Sequence, residues 1–432
     1  MISTPRWVSR FLSLAALALL ASALPSRPAL ARAPVVVYVV PGGAGSRTGA
    51  DWSNARDLQP ALLAASAGSE LWVKAGTYAP ASAADPGFYQ GAAFQLKSGV
   101  ALYGGFAGDE TARSQRDARA NPTVLSGDLL GNDSGAIHAG NPTRADNSRN
   151  VVRAAGTDAS AILDGFAIAG GTAAGNYLYG GGIDINSGGP TISNVVFHDN
   201  FGTYGGALAV RGQSSPRIAF ARFYRNFAAD KGGALYSDGG ATLVSQAVLS
   251  GNSAPPGGDG TSGGRGGALF VAGGSVTLSH SSLVGNVAGS GSAIYLSQGV
   301  ATLANSIVWG NLGGQFHGSV AASHSLLQGG YPGTNVISAD PLFVDADGAD
   351  DIVGTADDDL RLRPESPAID AGSDALIGSD FNDADGDGDA AEPTPLDLAG
   401  NPRRSGPVDL GAYEAPMGPR GDFLIYLPAI VR

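Results

Sequence analysis

Two tetrapeptides alternate along the middle of this chain, and their alternation restricts the fold more than any other feature. The first is Gly180-Gly181-Gly182-Ile183, then Gly205-Gly206-Ala207-Leu208, Gly232-Gly233-Ala234-Leu235, Gly266-Gly267-Ala268-Leu269 and Gly291-Ser292-Ala293-Ile294. The second is Phe197-His198-Asp199-Asn200, then Phe223-Tyr224-Arg225-Asn226, Leu249-Ser250-Gly251-Asn252, Leu283-Val284-Gly285-Asn286 and Val308-Trp309-Gly310-Asn311. Successive copies are about 25–27 residues apart, stretched once to roughly 34. A fixed period of this length marks a stacked solenoid, in which no single repeat can bury its apolar face alone. The stretch is a Pro/Gly-rich insert at residues 253–265, in the turn between two marks, where stacked coils tolerate extra length.

Within each repeat, residues after the Gly pair alternate with the two-residue period of a strand. The inward positions are then Ile183, Leu208, Leu235, Leu269 and Ile294, followed by Ile185, Val210, Ser237, Val271 and Leu296. A second strand offers Ile192, Ile218, Val244, Leu278 and Leu303, and a third position Phe197, Phe223, Leu249, Leu283 and Val308. Like would stack on like at about 4.8 Å. The Gly pairs suit a corner needing positive φ or close backbone approach. The recurring Asn suits left-handed geometry and can bond to backbone groups, and stacked Asn would form a ladder.

These alternating GGAL/GGAI and FxxN marks resemble the repeats of the polymorphic outer-membrane proteins of chlamydiae and their bacterial relatives. That family is similar to pectin-lyase-like proteins. The resemblance covers about half of the chain and implies an all-β, single-stranded right-handed parallel β-helix. The chlamydial proteins also resemble autotransporters with a C-terminal membrane barrel. This chain, ending at Arg432, is not expected to carry one.

Residues 1–31 read as a signal peptide. Arg6 and Arg10 precede an apolar run at residues 11–24, and Ala29-Leu30-Ala31 is an A-x-A cleavage site. A secreted or cell-surface location follows, with no transmembrane span in the mature chain. Residues 32–150 are read as an N-terminal cap with the first coils, and 151–330 as the repeat array. One helix is expected near 57–67, with Leu58, Leu62 and Ala65 on one face, Pro60 in the first turn and Gly68 as its stop. It would cap a first coil that otherwise exposes an open edge.

Residues 331–415 are read as acidic C-terminal coils and a cap. About twenty acidic and four basic residues fall between Asp340 and Glu414, whereas the whole chain carries only −12. The rest of the chain is therefore slightly basic. Asp340-Pro341-Leu342-Phe343-Val344-Asp345, Ser366-Pro367-Ala368-Ile369-Asp370-Ala371-Gly372, Asp397-Leu398-Ala399-Gly400-Asn401-Pro402-Arg403 and Val408-Asp409-Leu410-Gly411-Ala412-Tyr413-Glu414 resemble the choice-of-anchor Q module of secreted bacterial β-helix proteins. Residues 416–432 form a tail, either a sorting segment or a docked final strand. Its Arg420-Gly421-Asp422 is read as a chance match to an integrin-binding tripeptide.

Cysteine is absent, which excludes disulfides, thiolate metal sites and cysteine nucleophiles. The acidic balance argues against nucleic acid. The candidate metal sites use oxygen. Asp383, Asp385, Asp387 and Asp389 alternate on a Gly-containing loop, like the first half of an EF-hand, but Thr394 stands where the closing Glu should fall. A structural calcium ion and a merely solvated acidic loop are the two readings. Asp345, Asp347, Asp350 and Asp351, with Asp357, Asp358 and Asp359 beyond, form a second candidate cluster.

The leading functional expectation is a monomeric, non-catalytic structural or adhesive protein, an adhesin that binds surface glycan or another envelope component. The alternative is a lyase or glycoside hydrolase acting on acidic polysaccharide. Acids in the array are sparse, and the register puts Asn186, Arg211 and Asp238 in one outward column, where Arg211 and Asp238 read as a surface ion pair of small energetic value or, in the enzyme alternative, as its site. Outward Tyr236, Phe270 and Tyr295 form a second column, readable as a ligand face or as plain cross-strand packing. His198, His280 and His324 have no metal-ligand spacing and are read as structural or exposed.

Overall fold

The computed structural model describes residues 34–80, 89–175, 178–256, 264–385, 387 and 389–416. The expected signal peptide, most of the insert and nearly all of the tail lie outside the described residues. The chain winds as a parallel β-helix with three long faces. In the first, Val37, Leu71, Leu102, Leu163, Ile192, Ile218, Val244, Leu278, Leu303 and Ala322 are successive register partners, all parallel. In the second, the row is Tyr78, Leu125, Ile168, Phe197, Phe223, Leu249, Leu283, Val308 and Leu327. In the third, it is Phe94, Val152, Ile183, Leu208, Leu235, Leu269, Ile294 and Phe316. Ile185, Val210, Ser237, Val271 and Leu296 form a further row on the third face, so the four inward sets expected from the repeats are rows that form. They merge into one apolar core, with Phe197 and Phe223 stacked at 4.6 Å. Each fully buried large side chain contributes roughly 1.5–3 kcal/mol, and it does so only because a like neighbour lies above and below.

The corners divide labour between adjacent glycines. Gly205 takes φ +71°, in the left-handed region. Gly206 does not, but a Cβ there would collide with the carbonyl oxygen of Gly233 in the next coil. The Asn turns form a continuous buried ladder. Asn200, Asn226 and Asn252 each donate their side-chain amide to the next Asn, at 3.0, 2.9 and 3.0 Å, and Asn286 donates to Asn311 at 2.9 Å. The expected left-handed geometry falls one residue earlier, at Asp199, Arg225, Gly251, Gly285 and Gly310. The Asn side chain must point inward to reach its neighbour, so its predecessor makes the reversal.

The helix is Leu58–Ala64, capped by Asp57, which accepts from the Leu58 amide. It ends before Gly68 because Ala65 is already extended, and Lys97 donates to the carbonyls of Leu63 and Ala65. Leu58, Ala61 and Leu62 close the core over the first coils. The acidic C-terminal cap lies along the side of the solenoid. Phe343, Leu360, Leu398, Leu410 and Tyr413 pack on outward residues of the second face, among them Val248, Val284 and Ile307. The cap meets the coils at a bend between the first and second faces, where Asn194, Phe220, Gln246, His280 and Asn305 all take φ between 46° and 51°. Asn305 exchanges two hydrogen bonds with Ser373 of the cap. Among the described residues, no helix is long and apolar enough to cross a membrane.

Candidate functional site

The outward column of the third face runs Gln95, Arg153, Asp184, Ala209, Tyr236, Phe270, Tyr295 and His317. Its aromatic half stacks, with Tyr236–Phe270 centroids 5.7 Å apart and Phe270–Tyr295 centroids 5.0 Å apart. It is not an open ligand face. Tyr236 is 6% exposed and Phe270 2%, because Tyr204, Lys231 and Arg265, in the row that precedes the glycine corner, lie over them. Burial raises the Tyr236 phenol well above its usual range. Tyr295, half-buried, ends the column against His317.

The polar half is different. Arg149, Arg153 and Arg211 line one groove of about 320 Å³ together with Tyr179, Asp184 and Asn186. That volume lies in the range of roughly 300–1,000 Å³ typical of small-ligand sites. Arg153 comes from the strand Val152–Ala155, and Arg211 from Leu208–Arg211, two coils further on. Arg211 grips Asp184 with two hydrogen bonds of 2.8 Å and lies 5.0 Å from the centre of the Tyr179 ring. Arg153 donates to Asn150 at 3.0 Å, and Asn150 is itself pinned by donating to the carbonyls of Tyr179 and Gly180. Burial lowers the pKa of Arg153, with Arg149 and Arg211 acting in the same direction.

The expected partnership of Arg211 with Asp238 does not form. Asn186, Arg211 and Asp238 do share a register column, but Arg211 turns to Asp184, and Asp238 accepts from the Tyr236 hydroxyl at 3.4 Å. Reading the repeats missed Arg149, Arg153, Tyr179 and Asp184 as a group. The coil carrying Arg153 has neither tetrapeptide mark, so only its alternation, Val152-Arg153-Ala154, could have placed it.

No family model and no curated protein matches the sequence. Solved structures do match, two of them polysaccharide lyases by name. A pectate lyase matches with a TM-score of 0.44 at 14% identity, over 89% of this chain and 97% of its own. An alginate lyase from Paenibacillus sp. str. FPU-7 matches with a TM-score of 0.26 at 14% identity, over 65% of this chain and 96% of its own.

The acidic loop of the cap is the second site. Carboxylate oxygens of Asp383, Asp385 and Asp387 lie within 4.8 Å of one another, and so do those of Asp380, Asp385 and Glu392. Asp389 belongs to neither group, and its carboxylate accepts from the Ala391 amide. Burial raises the pKa of both Asp380 and Glu392, and the neighbouring aspartates add to the shift. Asp345, Asp347, Asp350 and Asp351 are not gathered into such a group among the described residues. Their loop uses carboxylates as turn acceptors: Asp350 accepts from Ile352, Asp357 from Ala349, and Asp358 from Gly354 and Thr355. The histidines are held locally. His198 meets Asp199 at 2.8 Å, buried His280 meets Asn305, and His324 meets Asn335.

Proposed function

We propose that this protein is a secreted or cell-surface β-helix that binds acidic polysaccharide, without cleaving it, in the groove of Arg149, Arg153 and Arg211. One observation carries the reading: three arginines line one groove on the outer face of a body whose negative charge lies mostly in its cap. Guanidinium forks match carboxylates bidentately, and here Arg149 and Arg153 would supply them, because Arg211 is engaged by Asp184 and lies over the Tyr179 ring. Binding is favoured over cleavage because the groove's carboxylate, Asp184, is already engaged by Arg211 in two hydrogen bonds. The leader-like N-terminus and the choice-of-anchor resemblance of the cap support an extracellular setting.

Lyase chemistry is the second reading. It is favoured by the three neighbouring arginines, since an elimination needs positive charge around the uronate carboxylate, and by the lowered pKa of half-buried Arg153, which makes its guanidinium easier to deprotonate. One experiment separates the two. Purified protein is titrated calorimetrically with polygalacturonate and with alginate, while ultraviolet absorbance follows unsaturated product. Binding without product, weakened at least tenfold by Arg149→Ala with Arg153→Ala, is the expected result. Product formation lost in the same variant establishes the lyase instead. No binding to either polymer removes both readings.

A further inference from the structure

The cap loop is closed at its neck by a short antiparallel pairing. Ser379 bridges Pro393, the Asp380 amide donates to the Glu392 carbonyl at 2.7 Å, and the Thr394 amide donates to the Gly378 carbonyl. This neck brings Asp380 and Glu392 together, twelve positions apart in sequence, beneath the aspartates of the loop.

Asp380 is 0% exposed. One of its oxygens, Oδ2, accepts from the Ala384 amide at 2.7 Å. The other, Oδ1, is buried with no hydrogen-bond partner, and Oε1 of Glu392 is in the same condition. Buried polar atoms are almost always satisfied, and a buried carboxylate oxygen facing other carboxylates is the least favourable exception. A cation among them removes both the missing partner and the repulsion.

We propose that this loop binds one calcium ion through Asp380, Asp385 and Glu392, with Asp383 and Asp387 beside them. The donors are all oxygens, which selects a hard cation. Several carboxylates on an irregular loop suit the adaptable coordination of calcium better than the strict octahedron of magnesium. The ligand set differs from a linear EF-hand. Its buried anchor precedes the alternating aspartates, its closing Glu comes early, and Asp389 is left out.

The ion also bears on how the cap is held. The loop touches the coils next to its ligands: Asn382 donates to Ser193 at 2.9 Å, and the Phe381 ring lies beneath Arg217. A cation that rigidifies residues 380–392 thereby fixes a contact between segments about 190 residues apart.

The test uses the full chain after chelator treatment, titrated calorimetrically with calcium chloride and followed by thermal unfolding. One site and a rise in Tm are expected for the wild type. Asp380→Asn and Glu392→Gln should each weaken binding at least tenfold, and Asp389→Asn should change it less than twofold. If the chelator-treated wild type shows neither heat nor a shift in Tm, the proposal fails whatever the variants do. If Asp380→Asn and Glu392→Gln, each folded by circular dichroism, bind as the wild type does, the ligand set is wrong and the proposal falls. Should Asp380→Asn not fold, Glu392→Gln and the wild-type titration decide.

Discussion

Arg403 and Glu414 meet at 3.0 Å with side chains 0% and 2% exposed, inside the seam between cap and coils. The same guanidinium donates to Gln246 on the coil and to the carbonyl of Ala412 in the cap. A buried Arg–Glu pair thus sits where the two parts of the molecule are joined, each partner offsetting the burial that pushes Glu414 up and Arg403 down. Breaking such a pair from one side leaves an uncompensated buried charge, which costs about 3–5 kcal/mol. Arg403→Met should destabilise the protein by that amount in urea unfolding. Arg403→Met with Glu414→Gln should recover part of the loss. Equal loss in both variants would show that packing, not charge, holds the seam.

The Asn ladder predicts a position-dependent cost. Asn252 accepts from the Asn226 amides and donates to Phe223, Ser250 and Asn286. Asn252→Ala strands several buried groups, each worth about 1–3 kcal/mol. Urea denaturation should show a loss of roughly 3 kcal/mol or more. Asn200→Ala, at the other end of the ladder, should lose less, because its side-chain oxygen accepts from the Gly171 amide alone among the described residues.

The glycine corners can be tested in pairs. Gly206→Ala drives a methyl group into a backbone carbonyl that cannot move without shifting the next coil. Gly378→Ala meets nothing within 4 Å. Thermal melts should show Gly206→Ala strongly destabilised, by more than about 2 kcal/mol, and Gly378→Ala within about 0.5 kcal/mol of the wild type.

The buried aromatic column should behave as core. Phe270→Ala is expected to cost about 3–5 kcal/mol in chemical denaturation. If Phe270→Ala left stability unchanged, the column would have to be reassigned as an open surface.

Two carboxyls contribute stability that is lost as pH rises through the acid range. Burial pushes Asp358 and Asp409 up to about 6, against roughly 3.9 in an unfolded chain. A carboxyl raised on folding binds its proton more tightly in the folded state. Its stabilising contribution is therefore complete below about pH 3.9 and is lost as pH passes through about 6. Asp409→Asn should reduce the fall in unfolding free energy between about pH 4 and pH 7, measured by urea denaturation, by an amount on the order of 1 kcal/mol relative to the wild type. An unchanged slope would remove Asp409 from the account.

Much of the solenoid was legible because its physics is local and repeated. Ile183, Leu208 and Leu235 announce their register, since each follows a glycine corner at the same offset and each needs the same inward slot. The bend carrying Phe220, Gln246 and His280 was not legible. Bulky and polar residues in the left-handed region carry no common sequence mark, and the cap that covers them comes from far along the chain. The aromatic column was visible, but its burial was not, because Tyr204, Lys231 and Arg265 reach it from the preceding turn. The groove escaped notice because Arg149 and Arg153 lie on an unmarked coil and meet Arg211 only after stacking.

The sequence alone determined that this chain winds into coils, which residues line their core and where the Asn ladder runs, because each choice is made by neighbours one period apart. Only the tertiary structure decided which polar groups meet. Arg211 bonds Asp184 on the preceding coil and not its register partner Asp238 on the following one, and Arg403 found Gln246 across 157 positions. Asp380 and Glu392 were joined by a loop neck that no spacing rule marks. Charges act through space and dielectric, so their partners appear only once the backbone has closed the distance and excluded the water.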